Sequence, residues 1–202
     1  MTLERDYVLG THDDEIARLG VQHRVWRPKM LGAWRRAGFG AGMTIADIGC
    51  GPGYAALDLA EIVGPSGRVI AVERSRRFLD TLESEARPPG VANIDTHERD
   101  LDADGLPVVT VDGTWCRWVA AFLTHPRDLI VGIHRIVRPG GAVVFHEYLD
   151  YAAWRLLPRS IDVVLVTSSS VYIEPAWMMA SPAGTPAMVK VPSAAPTPGY
   201  EV

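Results

Sequence analysis

The chain is short of cysteine, of lysine and of long apolar runs, and each shortage removes a class of protein. Only Cys50 and Cys116 occur in 202 residues, and they form no CxxC pair. That excludes a disulfide or zinc-ribbon framework, and free thiols suit a reducing compartment. No spacing of His, Cys, Asp or Glu suits a metal site. No apolar run approaches the ~20 residues that cross a bilayer. The opening MTLERDYVLG has no apolar core of signal-peptide length. The expected setting is cytoplasmic, with no membrane partner. A net charge of −4 gives no global basic footprint for nucleic acid. Lys29 and Lys190 are the only lysines among twenty basic residues, a bias that points to GC-rich coding and not to chemistry.

What is present suits one globular domain. Hydrophobic residues make up 48% and charged residues 22%, and the length can bury a sizeable core. The organising stretch is residues 44–54, TIADIGCGPGY. A short apolar run carrying Asp47 breaks into Gly49, Gly51 and Gly53, and a helical pattern follows to Val63. Strand, glycine turn and helix bring bare backbone and a helix N-terminus close to a polar ligand. A dinucleotide fingerprint places its third glycine three residues after the second. Tyr54 stands there, so the spacing is Asp-x-Gly-x-Gly-x-Gly.

Around this unit the chain alternates. Ile16, Leu19, His23 and Trp26 recur at helical spacing after the acidic start Asp13-Asp14-Glu15. Pro28 is expected to end that helix, with Met30, Leu31 and Trp34 forming a second, short one. Its arginines read as a solvated face. Residues 68–73 (RVIAVE) read as a buried strand, and Ser75 as the cap of the next helix. A third strand at 93–97 leads to Arg99-Asp100-Leu101, and a fourth covers 112–117. A helix opens at His125-Pro126 and closes at Arg138-Pro139-Gly140-Gly141, with Gly140 as its cap. A fifth strand covers 142–147. This alternation predicts an α/β fold with a doubly wound, mostly parallel sheet, its ligand outside the carboxyl ends of the strands.

Polar residues recur at those strand ends. Glu73 ends the second strand, where a carboxylate can accept from both ribose hydroxyls of an adenosine ligand; a solvated strand-end acid is the alternative. Asp100 is either a turn residue or an acceptor for an adenine amino group, with Leu101 as an apolar edge for the ring.

Read together, residues 44–148 resemble a class I S-adenosylmethionine-dependent methyltransferase of the small-molecule, ubiquinone/menaquinone-biosynthesis-like type. DIGCGPG is similar to motif I, RVIAVE with Glu73 to motif II, and RDL with Asp100 to the adenine-side motif. Residues 129–148 (LIVGIHRIVRPGGAVVFHEY) resemble the block of helix, L-R-P-G-G and strand, with Val137 in place of Leu. Residues 18–26 (RLGVQHRVW) look like a lid helix, which implies Gln22, His23 or Trp26 near the methionine end of the cofactor. The resemblance implies a Rossmann-like methyltransferase fold, S-adenosyl-L-methionine as cofactor and a small-molecule methyl acceptor. It places Asp47, Gly49, Gly51, Gly53, Glu73, Asp100 and Leu101 at the cofactor. Residues 1–40 form the expected lid, 41–157 the cofactor domain, and 158–202 an atypical segment.

A base is needed only for an acceptor of high pKa. His146, at the end of the fifth strand, is the first candidate, with Glu147 and Tyr148 as orienting partners, and His23 the second. Arg117 can meet the cofactor or an acidic acceptor. Trp115 and Trp118 can wall a flat substrate or pack the core, and Cys116 reads as buried. No Asn/Asp-Pro-Pro-Tyr/Phe tetrad follows the fourth strand, which argues against nucleic-acid amino methylation. The rivals are a non-catalytic or truncated cofactor-binding protein, an RNA methyltransferase resting on the basic first helices, and an NAD(P)-dependent oxidoreductase.

After residue 160 the composition breaks. Residues 161–202 hold four charged residues, Asp162, Glu174, Lys190 and Glu201, against forty before them. Residues 161–167 and 171–174 read as strands of a hairpin, and the proline-rich remainder as an irregular tail. The expectation is a truncated or frame-shifted C-terminal third. The C-terminal strands would then be incomplete, and the fifth strand left as an exposed edge.

Overall fold

The computed structural model describes residues 10–86 and 93–147 in full and residues 162–165 as backbone. The order is α1 (Asp13–Ala37), β1 (Thr44–Ile48), α2 (Tyr54–Val63), β2 (Arg68–Glu73), α3 (Arg76–Ala86) and β3 (Ile94–Glu98). There follow β4 (Val111–Arg117), a 3-10 turn (Ala120–Phe122), α4 (Pro126–Ile136), β5 (Val137–Glu147) and β6 (Asp162–Leu165). One sheet runs β3-β2-β1-β4-β5-β6. The first five strands are parallel, and β6 pairs antiparallel with β5, Val144 opposite Leu165 and Glu147 opposite Asp162. The chain leaves the β1-β2-β3 side and returns at β4, so the switch point lies between β1 and β4. That is where an open α/β sheet has its crevice.

Strand residues alternate between the two faces. On one face Ile45, Val69, Ala71, Trp115 and Val144 pack with Met30, Ala33 and Trp34 of α1, Leu59 and Val63 of α2, and Leu79 and Leu82 of α3. On the other, Ala46, Ile48, Ile70, Val72, Cys116 and Phe145 meet Leu129, Ile133 and Ile136 of α4. Trp34 stands edge-on to Trp115 at 5.2 Å and 87°, worth about 0.5–1.5 kcal/mol beyond the area the pair buries.

Three expectations are corrected. Pro28 does not end a helix: α1 is one element of 25 residues with Pro28 inside it. An interior proline costs about 3 kcal/mol. Burial of Met30, Ala33 and Trp34, each at most 1% exposed, offsets that cost. The true stop is Gly38, left-handed at φ 79°, where the N–H groups of Gly38 and Phe39 close on the carbonyls of Arg35 and Trp34. Gly140 is not a helix cap. α4 ends at Ile136, and Gly140, at φ 80°, lies in an irregular turn of β5 between the Val111–Val137 and Gly113–Ala142 pairs. Finally, β5 is not an edge strand, because β6 covers it. Several expectations lie outside the described residues: Tyr148 as an orienting partner, the strand at 171–174, the rest of the hairpin and the proline-rich tail.

Candidate cofactor-binding site

A cleft of about 360 Å³ opens at the carboxyl ends of β1, β2 and β4. Asp47, Gly49, Cys50, Gly51 and Pro52 form its floor, and Val72, Glu73 and Arg74 one side. Asp100 and Leu101 form the far end, Trp115, Arg117, Trp118 and Val119 the other side, and Arg18, Leu19 and Gln22 of α1 the roof. Eight of the nine expected cofactor residues line this one space. Gly53 is the exception in kind, because it stands at the N-cap of α2 and not on the wall.

The three alternate glycines have different reasons to be glycine. All have positive φ, at 69°, 55° and 88°. A methyl on Gly49 would overlap Val119 Cγ2, and one on Gly53 would overlap Leu82. At Gly51 nothing beyond the adjoining residues lies within 4 Å of that position. Gly49 and Gly53 are therefore bare for packing, and Gly51 is bare toward the cleft. Tyr54 has a role that its position in the loop did not announce. Its hydroxyl donates to the Ile16 carbonyl at 3.1 Å, and Gly20 passes so close that its Cβ would lie 3.0 Å from that oxygen. The loop and the roof helix are thus tied together.

Glu73 accepts from the Gly51 N–H at 3.0 Å through Oε2 and from the Arg74 and Ser75 N–H groups at 2.9 and 3.0 Å through Oε1. Burial raises its carboxyl above the usual range, and those backbone donors oppose the rise. Asp47 is 2% exposed, and its Oδ2 has no hydrogen-bond partner among the described residues. Burial pushes its carboxyl up to about 7, against the pull of Arg117 and with a further push from Glu73. An orphaned carboxylate oxygen at the floor of a cleft fits a ligand that brings a cation or a donor. Asp100 both organises a turn, its Oδ1 accepting from the Asp102 N–H at 3.0 Å, and lines the cleft. A glycine cradle open at Gly51, an acceptor at Glu73 and an unsatisfied acid at Asp47 fit an adenosine ligand with an amino-acid tail.

The two histidines are not on the cleft wall. His146 is 1% exposed and lies 5.4–5.7 Å from the rings of Trp26, Trp115 and Trp118. Neither ring nitrogen has a partner among the described residues. Burial and the nearby Arg117 charge push the imidazole down to about 3, so it is neutral and a feeble base. Glu147 cannot orient it, because strand neighbours point to opposite faces; the Glu147 carboxylate accepts from Val119 and Ala120 instead. His23 turns to α2, where its Nε2 lies 3.1 Å from Asp58 Oδ2, and Arg27 donates to the same carboxylate at 2.9 Å. Both base candidates therefore lie off the cleft wall in this geometry. Trp26 packs on His146, and of the three lid residues only Gln22 reaches the cleft. Trp115 serves twice, as core and as wall, and Cys116 is fully buried. Arg117 stacks its guanidinium 4.7 Å from the Trp118 ring centre and donates to Met30 Sδ at 2.7 Å. Among the described residues no His, Cys, Asp or Glu group could hold a metal, and no helix is long and apolar enough to cross a membrane.

Sheet order, glycine loop and cleft define a Rossmann-like adenosine-ligand protein. Residues 46–145 match the methyltransferase domain family, and the chain belongs to the class I S-adenosylmethionine-dependent methyltransferases. The chain is 32% identical over 131 residues to a demethylmenaquinone methyltransferase of Lactococcus lactis, covering 62% of this chain and 49% of that protein. It is 36% identical over 106 residues to the cypemycin N-terminal methyltransferase of a Streptomyces species, covering 50% and 40%. The chain thus spans half or less of these relatives. A crystal structure of a methyltransferase from Aquifex aeolicus superposes with a TM-score of 0.53 at 21% identity, over 58% of this chain and 62% of that one. That likeness concerns the fold.

Proposed function

We propose that this chain binds S-adenosyl-L-methionine in the β1–β4 cleft and transfers its methyl group to a small-molecule acceptor. The observation that carries the reading is the buried acid Asp47, with an unsatisfied oxygen, beside the open Gly51 and the Glu73 carboxylate. Asp47 would hold the ligand's ammonium, Glu73 the ribose hydroxyls, and Asp100 with Leu101 the adenine edge. Gly49 to Gly53 would let the ligand lie against main chain, with Gln22 and Arg117 at the methionine end. When bound, the cofactor supplies a sulfonium methyl that a nucleophile can displace in line.

The residues of this chain act by placement and by exclusion of water. Trp115, Trp118 and Val119 make one wall apolar, and α1 covers the top. No described histidine stands where it could take a proton from an acceptor in the cleft. The reading therefore favours an acceptor that needs no histidine base. The relatives are named for chemically different acceptors, demethylmenaquinone and the N-terminus of cypemycin. Their names leave the acceptor atom open here.

Calorimetry with S-adenosylhomocysteine tests the binding half. Wild type should bind, and Glu73→Ala should bind at least about tenfold more weakly, a loss of ~1.4 kcal/mol for hydrogen bonds to a charged group. Equal affinity in the variant would undo the ribose assignment. Binding with no turnover over a panel of amine, phenol, thiol and quinone acceptors would favour a non-catalytic binder.

A further inference from the structure

Trp118 is the only described non-glycine residue with positive φ, at 56°. A bulky residue holds that conformation only where its surroundings impose it. Here the Trp118 N–H donates to the His146 carbonyl at 3.1 Å, and the indole is packed by the His146 ring and the Arg117 guanidinium. The next two N–H groups, of Val119 and Ala120, both donate to Glu147 Oε1, at 2.9 and 3.1 Å. Val119 in turn fills the space that a side chain at Gly49 would need. A line of contact therefore runs from Glu147 on β5, through the turn after β4, to the first glycine of the loop after β1. Glu147 is not itself on the cleft wall.

We propose that Glu147 is a positioning residue for the cofactor loop, its carboxylate seating Val119 against Gly49 and holding Trp118 as the cleft wall. The proposal rests on the reading of the cleft as the S-adenosylmethionine site. A strand-end apolar residue would fill the same space without leaving a buried oxygen unpartnered, as Glu147 Oε2 is among the described residues. What an apolar residue cannot do is accept two consecutive N–H groups that the strained turn has turned away from any strand. The carboxyl is raised above its usual range by burial, with those donors opposing the rise.

The test is S-adenosylhomocysteine affinity, measured by calorimetry well below the unfolding midpoint, in wild type, Glu147→Gln, Glu147→Ala, Glu147→Asp, Val119→Ala and the Glu147→Ala/Val119→Ala pair. Gln keeps the accepting oxygen, so Glu147→Gln should stay within about threefold of wild type. Glu147→Ala, and Glu147→Asp with its oxygens drawn back by one methylene, should each weaken binding by roughly tenfold. Because Glu147 acts through Val119, the double variant should bind no more weakly than the weaker single variant, where independent effects would add. Unchanged affinity in Glu147→Ala, or in Glu147→Asp if the alanine chain does not fold, overturns the proposal, as does additivity in the double variant. Failure of wild type to bind S-adenosylhomocysteine would instead overturn the reading of the cleft.

Discussion

Asp47 makes cofactor affinity a function of pH. Its carboxyl lies at about 7 in the folded, ligand-free chain, against an ordinary value of 3.8. Between those values the folded state holds a proton that the unfolded state has lost. The contribution of Asp47 to stability is therefore fully present below pH ~4 and declines as pH rises toward about 7. A ligand ammonium beside the carboxylate selects the ionised form, so observed affinity should follow the ionised fraction. That fraction is about one-eleventh at pH 6, one-half at pH 7 and ten-elevenths at pH 8. The dissociation constant of S-adenosylhomocysteine should thus fall roughly five- to sixfold from pH 6 to 7 and tenfold by pH 8. The ligand's own α-ammonium, beside a free carboxylate, stays protonated over this range, so the curve follows Asp47 alone. Calorimetry in buffers of different ionisation enthalpy should also register close to one proton released on binding at pH 6. In Asp47→Asn both the slope and the proton release should vanish, with affinity at pH 7.5 reduced. A wild type with flat affinity from pH 6 to 7.5, or a variant that keeps the wild-type slope, would refute this account of Asp47.

Other expectations follow from the same geometry. Gly51→Ala should cost only the ~1–2 kcal/mol of a left-handed non-glycine residue yet abolish most S-adenosylhomocysteine binding. Gly53→Ala should unfold more readily, because its methyl meets Leu82; denaturant midpoints beside binding isotherms separate the two. Asp58 has the opposite pH sign to Asp47. Burial would raise its carboxyl, but hydrogen bonds from His23 and Arg27 prevail and hold it below 3.8. Its stabilising effect is present above that value and lost as pH falls through the lower folded one, so Asp58→Asn should flatten the acid limb of stability. His146→Phe should fold with stability equal to or above wild type, since two nitrogens without a partner among the described residues give way to an apolar ring among tryptophans. A fall of more than about 2 kcal/mol would mean that the imidazole has a partner in the native state.

Much of the fold was legible because its signals are local. The bounds of β1, α2 and β2 follow from apolar runs bracketed by Asp47, Tyr54 and Glu73, and Ser75 does cap α3, accepting from the Phe78 N–H at 3.3 Å. The lining of the cleft was legible for the same reason, since strand ends gather in space once the order of strands is known. What stayed hidden depends on contacts distant in sequence. Pro28 reads as a stop until the core beneath Met30 and Trp34 is seen. His146 reads as a base at a strand end until Trp26 arrives from the first helix, 120 residues earlier. Glu147 reads as a partner of His146, because its actual partners are main-chain N–H groups of a turn that has no fixed composition.

Pro28 divides α1 into two halves with different employment. Arg18, Leu19 and Gln22 roof the cleft before it, and Met30, Ala33 and Trp34 are set in the core after it. Proline cannot donate to the Arg24 carbonyl four residues back, so one rung of the helical ladder is missing at this boundary. Bending there breaks fewer bonds than bending anywhere else along the helix. Both halves are nevertheless fixed: the Tyr54 hydroxyl holds Ile16, Asp58 holds His23 and Arg27, and Trp26 packs on His146. Because Tyr54 starts α2 directly after Gly53, the roof and the glycine loop share one anchor, and loss of the Tyr54 hydroxyl would release both together.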